Sequence, residues 1–408
     1  MQHVPVFLTL IIVIIVARLF GMLFRKMGQP SVMGEVLGGI VLGPSVVGGL
    51  FPEFATAVFH PEAMGFLKHI AEIGITLYLF VMGLEIDLPR LKQSARSAII
   101  VSQMSIVLPF ALGLFLAYQI YDNYAPTGVG HLEFALFVGV SLSITAFPVL
   151  ARILSDSPLH KTKLGDLALT CAAIDDVTAW CLVAVVTGIM GATIGAAWFT
   201  IGLTIAYVLF MIMVVRPLIE KYLPRFEKGA ERITQFLMAF AILGAMISAT
   251  ITDLIGIHAF FGAFLFGATI PHDSLIARGV AKRLQDLVAI LFLPAFFALT
   301  GVKTQMGLLS SNEHWLLCGF ITLLAIVGKF GGAFVGAVIS GNSKRNSTII
   351  GILMNTRGLV ELIVLNIGLS VGILTPTLFT MLVIMAVVTT FMTGPLLKLA
   401  MPKGQKVE

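Results

Sequence analysis

The chain is predicted to be an all-α polytopic membrane protein with thirteen transmembrane helices arranged as an inverted repeat. Three observations carry that expectation. The 408 residues are 58% hydrophobic and 12% charged, with a mean hydropathy of +1.01, whereas soluble domains carry about 25% charged residues. Apolar runs long enough for a bilayer, at roughly 20 residues per crossing, alternate with short polar connections whose basic residues fall almost entirely on one side. Finally, helix interruptions in one half of the chain recur at matching places in the other.

The expected spans are 4–24, 31–50, 67–86, 97–120, 133–154, 164–190, 196–218, 233–252, 257–271, 284–302, 315–341, 347–370 and 374–399. The first run, Val4 to Phe24, is too long for the apolar part of a signal peptide. It lacks a basic leader and a small-residue cleavage site, so it reads as a spanning helix. The second span ends Gly38-Gly-Ile-Val-Leu-Gly43-Pro44, and the ninth ends Ala263-Phe-Leu-Phe-Gly267-Ala-Thr-Ile-Pro271. The fifth is broken by Pro148, in Ser143-Ile-Thr145-Ala-Phe-Pro148, and the twelfth by Asn355-Thr356-Arg357-Gly358. Both pairs lie seven helices apart, an odd offset that reverses direction across the membrane. Helices 1–6 then pair with 8–13, and helix 7 connects them. Interrupted segments at matching places in two inverted halves point to a transporter's substrate site.

Of the 26 Lys and Arg residues, 21 fall on one set of alternating connections, from Arg25 to Lys406. The other set holds only Lys68 and Lys303, while Arg18, Lys329 and Arg357 fall inside helices. The positive-inside rule then places the N-terminus outside and the C-terminus in the cytoplasm, and a bacterial-type inner or cell membrane is the expected location. The formal net charge of +5 is therefore topological, and no nucleic-acid partner is expected. Cys171, Cys181 and Cys318 lie in apolar runs without zinc spacing; the first two are about 15 Å apart along one helix, too far for a disulfide. No cofactor is expected. No phosphate-cradling glycine loop occurs, so an ion gradient rather than ATP is the expected energy source. No soluble appendage is expected, and no nucleophile–base pair or metal set marks an enzyme.

The chemistry concentrates in Cys171-Ala-Ala-Ile-Asp175-Asp176-Val-Thr178-Ala-Trp180. A charge at bilayer depth costs at least about 2.5 kcal/mol on insertion scales and usually faces a bundle interior or water-filled path. Adjacent helical residues point about 100° apart, so the two carboxylates are expected to have different roles, one toward a cavity and the other toward a neighbouring helix. Lys329, mid-helix, is the obvious partner for the pair. Arg357 and Glu361 stand four apart on one face and can neutralise each other, either as a structural pair or as a group that tunes or gates the site. Pro148 removes a backbone N–H and frees carbonyls a turn earlier. Ser143, Thr145 and those carbonyls are therefore expected to offer oxygen ligands to a hard monovalent cation beside Asp176. Glu35, Glu72 and Glu85 read as structural, Arg18 as a snorkelling residue, and His258 as an interface residue.

Four stretches in order, Ala71 to Glu85, Ser143 to Arg152, the Asp175-Asp176 helix and Asn355 to Gly368, resemble the monovalent cation:proton antiporter family. Its members include bacterial sodium/proton antiporters, glutathione-gated potassium efflux systems and plant cation/proton exchangers. The resemblance runs from about residue 5 to 399. It implies the sodium/proton antiporter fold: a homodimer in which a core with crossed broken helices slides against a scaffold by elevator alternating access. It divides the chain into scaffold (1–96 and 233–310), core (97–195 and 311–408) and a linker helix (196–232). Asp176 then resembles the essential cation- and proton-binding carboxylate, with Asp175 paired to Lys329. In that family an Asp-Asp pair goes with electrogenic exchange, favouring sodium or lithium against more than one proton. The Ser143 and Asn355 stretches are more similar to plant exchangers and potassium systems. Potassium/proton exchange or a potassium efflux unit is therefore the alternative, with a proton-coupled exporter of organic solutes further off.

Overall fold

The computed structural model describes residues 5–85, 95–155, 157, 159, 162–189, 194–227 and 233–401. Among the described residues the regular elements are helices, without a strand. The first half contains α1 (Val6–Lys26), α2 (Ser31–Leu42), α3 (Pro61–Leu84), α4 (Ala95–Tyr124), α5 (His131–Ser143), α6 (Phe147–Ser155) and α7 (Lys163–Ile189). After these come α8 (Ile194–Phe210), α9 (Arg216–Glu227), α10 (Gln235–Ile255), α11 (Ala259–Thr269), α12 (Leu275–Leu287) and α13 (Leu293–Lys303). The chain closes with α14 (Asn312–Ile339), α15 (Lys344–Met354), α16 (Leu359–Ser370) and α17 (Pro376–Ala400). π-helical turns at Met211–Val215 and Val288–Phe292 join α8 to α9 and α12 to α13.

Ten helical stretches among the described residues are long and apolar enough to cross a membrane, and the bent pair α15–α16 makes an eleventh. The segments expected at 133–154 and 257–271 hold the shorter apolar helices His131–Ser143 and Ala259–Thr269. Thirteen is reached only by counting these two as crossings. The tenth helix begins at Leu275, nine residues before the expected 284, because its first turns are amphipathic. Ile276, Ala277, Val280 and Leu284 are buried while Arg278, Lys282 and Arg283 hold the other face. A search for apolar runs passes over such a face.

Two sets of helices pack mainly among themselves. α4 packs against α5, α7 and α14, and α14 against α15 and α17; separately, α2 packs against α1 and α13, and α3 against α11 and α13. Helices in a membrane gain little from hiding apolar surface from lipid and rely on close contact through small residues. Both sets show it. A Cβ added to Gly301 would lie 2.3 Å from the Gly39 carbonyl carbon, and one on Gly332 would lie 2.2 Å from Met104 O. Side-chain hydroxyls of Ser311, Ser343 and Thr375 accept from the third backbone N–H beyond them and cap α14, α15 and α17, satisfying donors that have no intrahelical partner.

Two breaks interrupt the first of these sets. Ile144, Thr145 and Ala146 lie outside helix between α5 and α6, with Ile144 extended. Pro148 stands second in α6, where its missing N–H is harmless and its ring disfavours helix just upstream; its side chain lies outside the described residues. Asn355 to Gly358 separate α15 from α16, which are bent by 44°. The two breaks meet: Ala146 N–H donates to Thr356 O at 3.0 Å, so peptide groups released by one interruption are used by the other. At Gly358, with φ 158° and ψ −126°, a Cβ would come 2.7 Å from Val149 Cγ2.

The Gly39–Gly301 contact gives a direct stability test. Gly301→Leu is expected to destabilise the fold by at least about 1–3 kcal/mol through overpacking. A detergent thermal-unfolding curve should show a clearly lower midpoint, whereas Gly307→Leu, at a position with open space, should not shift it.

Candidate ion-binding site

Asp175 and Asp176 occupy the middle of α7, and their side chains meet opposite conditions. Asp175 is fully buried and accepts from four donors: Ser102 Oγ at 2.5 Å, Ser105 Oγ at 3.0 Å, Thr145 Oγ1 at 2.7 Å and Lys329 Nζ at 2.8 Å. Lys329, also fully buried, donates to Ser143 O at 2.6 Å and lies 3.3 Å from Ser105 Oγ. The ion pair thus joins α4, the α5–α6 break, α7 and α14. Each charge is matched by an opposite charge and by further hydrogen bonds, the condition for a buried pair to be tolerated.

Asp176 is 2% exposed, yet neither carboxylate oxygen has a hydrogen-bond partner among the described residues. The Phe147 backbone amide, at the start of α6, is close enough to act on it electrostatically without meeting full hydrogen-bond geometry. A helix N-terminus carries a partial positive charge, so α6 presents this end to the bare carboxylate. Trp180, one turn further along α7, is 1% exposed and its Nε1 also lacks a partner.

The Arg357–Glu361 pair lies within the same set of helices. Arg357 Nη1 is 3.1 Å from Glu361 Oε2, and both residues are fully buried. The guanidinium also donates to Ser141 O at 3.0 Å and to Leu142 O. Together with Lys329 on Ser143 O, two cations take the last three carbonyls of α5, where the helix dipole favours positive charge. Arg357 Nε and Glu361 Oε1 have no partner among the described residues.

The structure therefore brings together Asp175, Lys329, Thr145 and the Ser143 carbonyl. The Ser143 hydroxyl turns away, toward Gly139 O at 2.7 Å and Ile106 O at 3.2 Å, and neither it nor Thr145 hydrogen-bonds Asp176. Ser102 and Ser105 are the residues that sequence reasoning missed; their signal was a pair of hydroxyls three apart in an apolar run. Outside this cluster, the Arg18 side chain is 36% exposed. Its guanidinium donates to Ala289 O in the π-turn and lies 3.9 Å from Glu35 Oε1, because Glu35 is buried between α1 and α2 and needs a counter-charge. Glu72 sits half-exposed beside Lys68 and His69. Glu85 directly follows α3, and His258 precedes α11 and lies against Phe260.

Removing one member of the buried pair should cost more than removing both. Lys329→Ala leaves Asp175 without its cation and is expected to destabilise by roughly 3–5 kcal/mol, whereas Asp175→Asn with Lys329→Met should recover much of that loss. Thermal midpoints of the three proteins in detergent check this; a double variant no better than Lys329→Ala would contradict it.

A family model described as sodium/hydrogen exchanger, transmembrane, matches residues 11–401. A Na+/H+ antiporter of Synechocystis, NhaS4, is 41% identical over 389 residues, covering 95% of each chain. Cation/H+ antiporter 20 of Arabidopsis thaliana is 38% identical over 94% of this chain and 47% of its own length. K+/H+ antiporter 1 of Saccharomyces cerevisiae is 32% identical over 97% of this chain and 46% of its own. The chain thus spans about half the length of those plant and yeast relatives. In fold it is similar to the sodium proton antiporter MjNhaP1 of Methanocaldococcus jannaschii, with a TM-score of 0.71 at 14% identity over 96% of this chain and 95% of that one.

Proposed function

We propose, since the chain belongs to the sodium/hydrogen exchanger transmembrane family, that its substrates are sodium, with lithium also accepted, and protons, which compete for Asp176. The activity of the family is cation/proton antiport and not enzymatic catalysis, and the chain is a multi-pass integral membrane protein. The observation that carries the assignment to Asp176 is its carboxylate, buried and without a full hydrogen bond among the described residues, beside a fully compensated Asp175. A dehydrated carboxylate is expensive unless a proton or a cation neutralises it. Either occupant suffices, and both cannot bind at once. Competition for one group then couples the two fluxes.

On this reading the core (97–195 and 311–408) moves against the scaffold (1–96 and 233–310) only when Asp176 is neutralised, an elevator cycle with 196–232 as linker. The two packing sets of helices support that division. Protomers pair as a homodimer in a bacterial-type inner membrane, with the N-terminus outside and the C-terminus in the cytoplasm, as the basic connections indicate. Electrogenic exchange needs a second proton-carrying group, and the Asp175–Lys329 pair is the proposed one: it opens when the cation binds and closes when protons return. Thr145 and the Ser143 carbonyl then become available as oxygen ligands, while Arg357, Glu361 and Pro148 shape the crossing. Potassium/proton exchange is the second reading, favoured by the similarity to the yeast K+/H+ antiporter.

Three outcomes are expected from purified protein in liposomes containing a pH dye. Sodium should evoke a pH change in the wild type and none in Asp176→Asn, with that variant still folded; retained exchange would end the assignment. Clamping the voltage with potassium and valinomycin should alter the sodium response, whereas a potassium response insensitive to voltage would move the assignment to electroneutral potassium exchange. Activity should rise with pH as Asp176 gives up its proton to solution, and level off once deprotonation is complete.

A further inference from the structure

The break between α15 and α16 sets Asn355 at the crossing with the α5–α6 break. Its two neighbours are bonded across that crossing: Thr145 Oγ1 lies 3.1 Å from Met354 O, and Ala146 N–H donates to Thr356 O at 3.0 Å. Most other polar groups here have partners too, Arg357 Nε, a donor, being an exception among the described residues. Asn355 N–H donates to Gly351 O at 3.2 Å, Arg357 N–H to Thr390 Oγ1 at 3.0 Å, and Thr390 Oγ1 to Arg357 O at 2.7 Å. The Asn355 side-chain oxygen does not. The residue is 3% exposed, and its Oδ1 is buried without a donor among the described residues.

Asp176 is in the same condition, with both oxygens buried and unpartnered. α7, which carries it, packs against α6 and against α15, and the Phe147 amide next to Ala146 faces it. Two acceptors cannot satisfy each other, since neither brings a hydrogen. Buried polar atoms in native structures are nearly all bonded, and an exception calls for a ligand, ion or water. A neutral amide oxygen and a carboxylate together make a hard oxygen set suited to an alkali cation. Trp180 Nε1, as a donor, suits a water of such an ion's shell rather than the ion itself.

We infer that Asn355 Oδ1 is a direct ligand of the transported cation, joining Asp176, and that it helps set the preference among alkali cations. This rests on the reading of Asp176 given above. An amide carbonyl adds a dipole without a charge. It therefore strengthens cation binding without creating a second site for a proton, and acts on one of the two competitors only.

The test measures exchange in proteoliposomes over titrations of sodium, lithium and potassium. Asn355→Ala should raise the KM for the transported cation about tenfold or more, the scale on which groups around a bound metal act. It should change the ratio of KM values between cations and leave turnover at saturating cation near wild type. Asn355→Asp, which keeps an oxygen there, should restore affinity. If Asn355→Ala folds poorly, near-isosteric Asn355→Thr and Asn355→Val replace it, and the Thr variant must bind the cation more tightly. Unchanged KM values for all three cations in Asn355→Ala, or equal values for Thr and Val, overturn the inference. Asp176→Asn, run in parallel, separates the two claims: exchange surviving there overturns both, while its loss together with unchanged KM in Asn355→Ala overturns only the role of Asn355.

Discussion

A charge held away from water needs an opposite charge and a full set of hydrogen bonds, and the transmembrane core is built to give both to Asp175. Its partners come from two other helices and one helix break: Ser102 and Ser105 on α4, Thr145 between α5 and α6, and Lys329 on α14. Any displacement of one of these elements would strip a donor from a buried carboxylate, at the cost of several kcal/mol typical of unpaired interior charge. The pair therefore fixes how α4, α5, α7 and α14 sit relative to one another. The neighbouring Asp176, one residue along the same helix, is left bare by the same geometry. Adjacent side chains on a helix diverge, so a cluster that closes around one cannot also close around the other.

The two interrupted helices supply the rest. Breaking a helix inside a membrane releases peptide groups that lipid cannot satisfy. Here the breaks satisfy each other through Ala146 N–H on Thr356 O and Arg357 on carbonyls at the end of α5, and Lys329 of α14 takes the last one. Asp175, Asp176 and Glu361 face Lys329 and Arg357, which leaves one acid without a basic partner. On the proposed reading that imbalance is where a monovalent cation or a proton binds.

Much of this was legible in the sequence because the signals are costly. A lysine in an apolar helix needs an acid, so the meeting of Lys329 with the aspartate pair followed from burial, while the choice of Asp175 was what the family resemblance implied. The helix interruptions were visible as Pro148 and Asn355 to Gly358, since proline disfavours helix just before it and a polar run is costly in an apolar span. Other features were illegible for physical reasons. Ser102 and Ser105 look like ordinary small residues of a membrane helix, and only their direction toward Asp175 distinguishes them. The turn of the Ser143 hydroxyl toward its own helix depends on a rotamer, which spacing does not encode. Arg18 reads from its place near a helix end, whereas its approach to Glu35 depends on Glu35 being buried across the α1–α2 contact. The amphipathic start of α12 hid behind its charged face. Asn355 read only as part of a break; its unpaired oxygen appears once the surrounding peptide groups are seen to be satisfied.

If cation and proton exclude each other at Asp176, adding sodium, lithium or potassium to purified protein in weakly buffered detergent releases protons, and that release is the quantity to measure. Below the pH of full deprotonation, the account predicts release that saturates with cation binding and disappears in Asp176→Asn. Saturable cation binding without release of protons, or release that persists in Asp176→Asn, would contradict it.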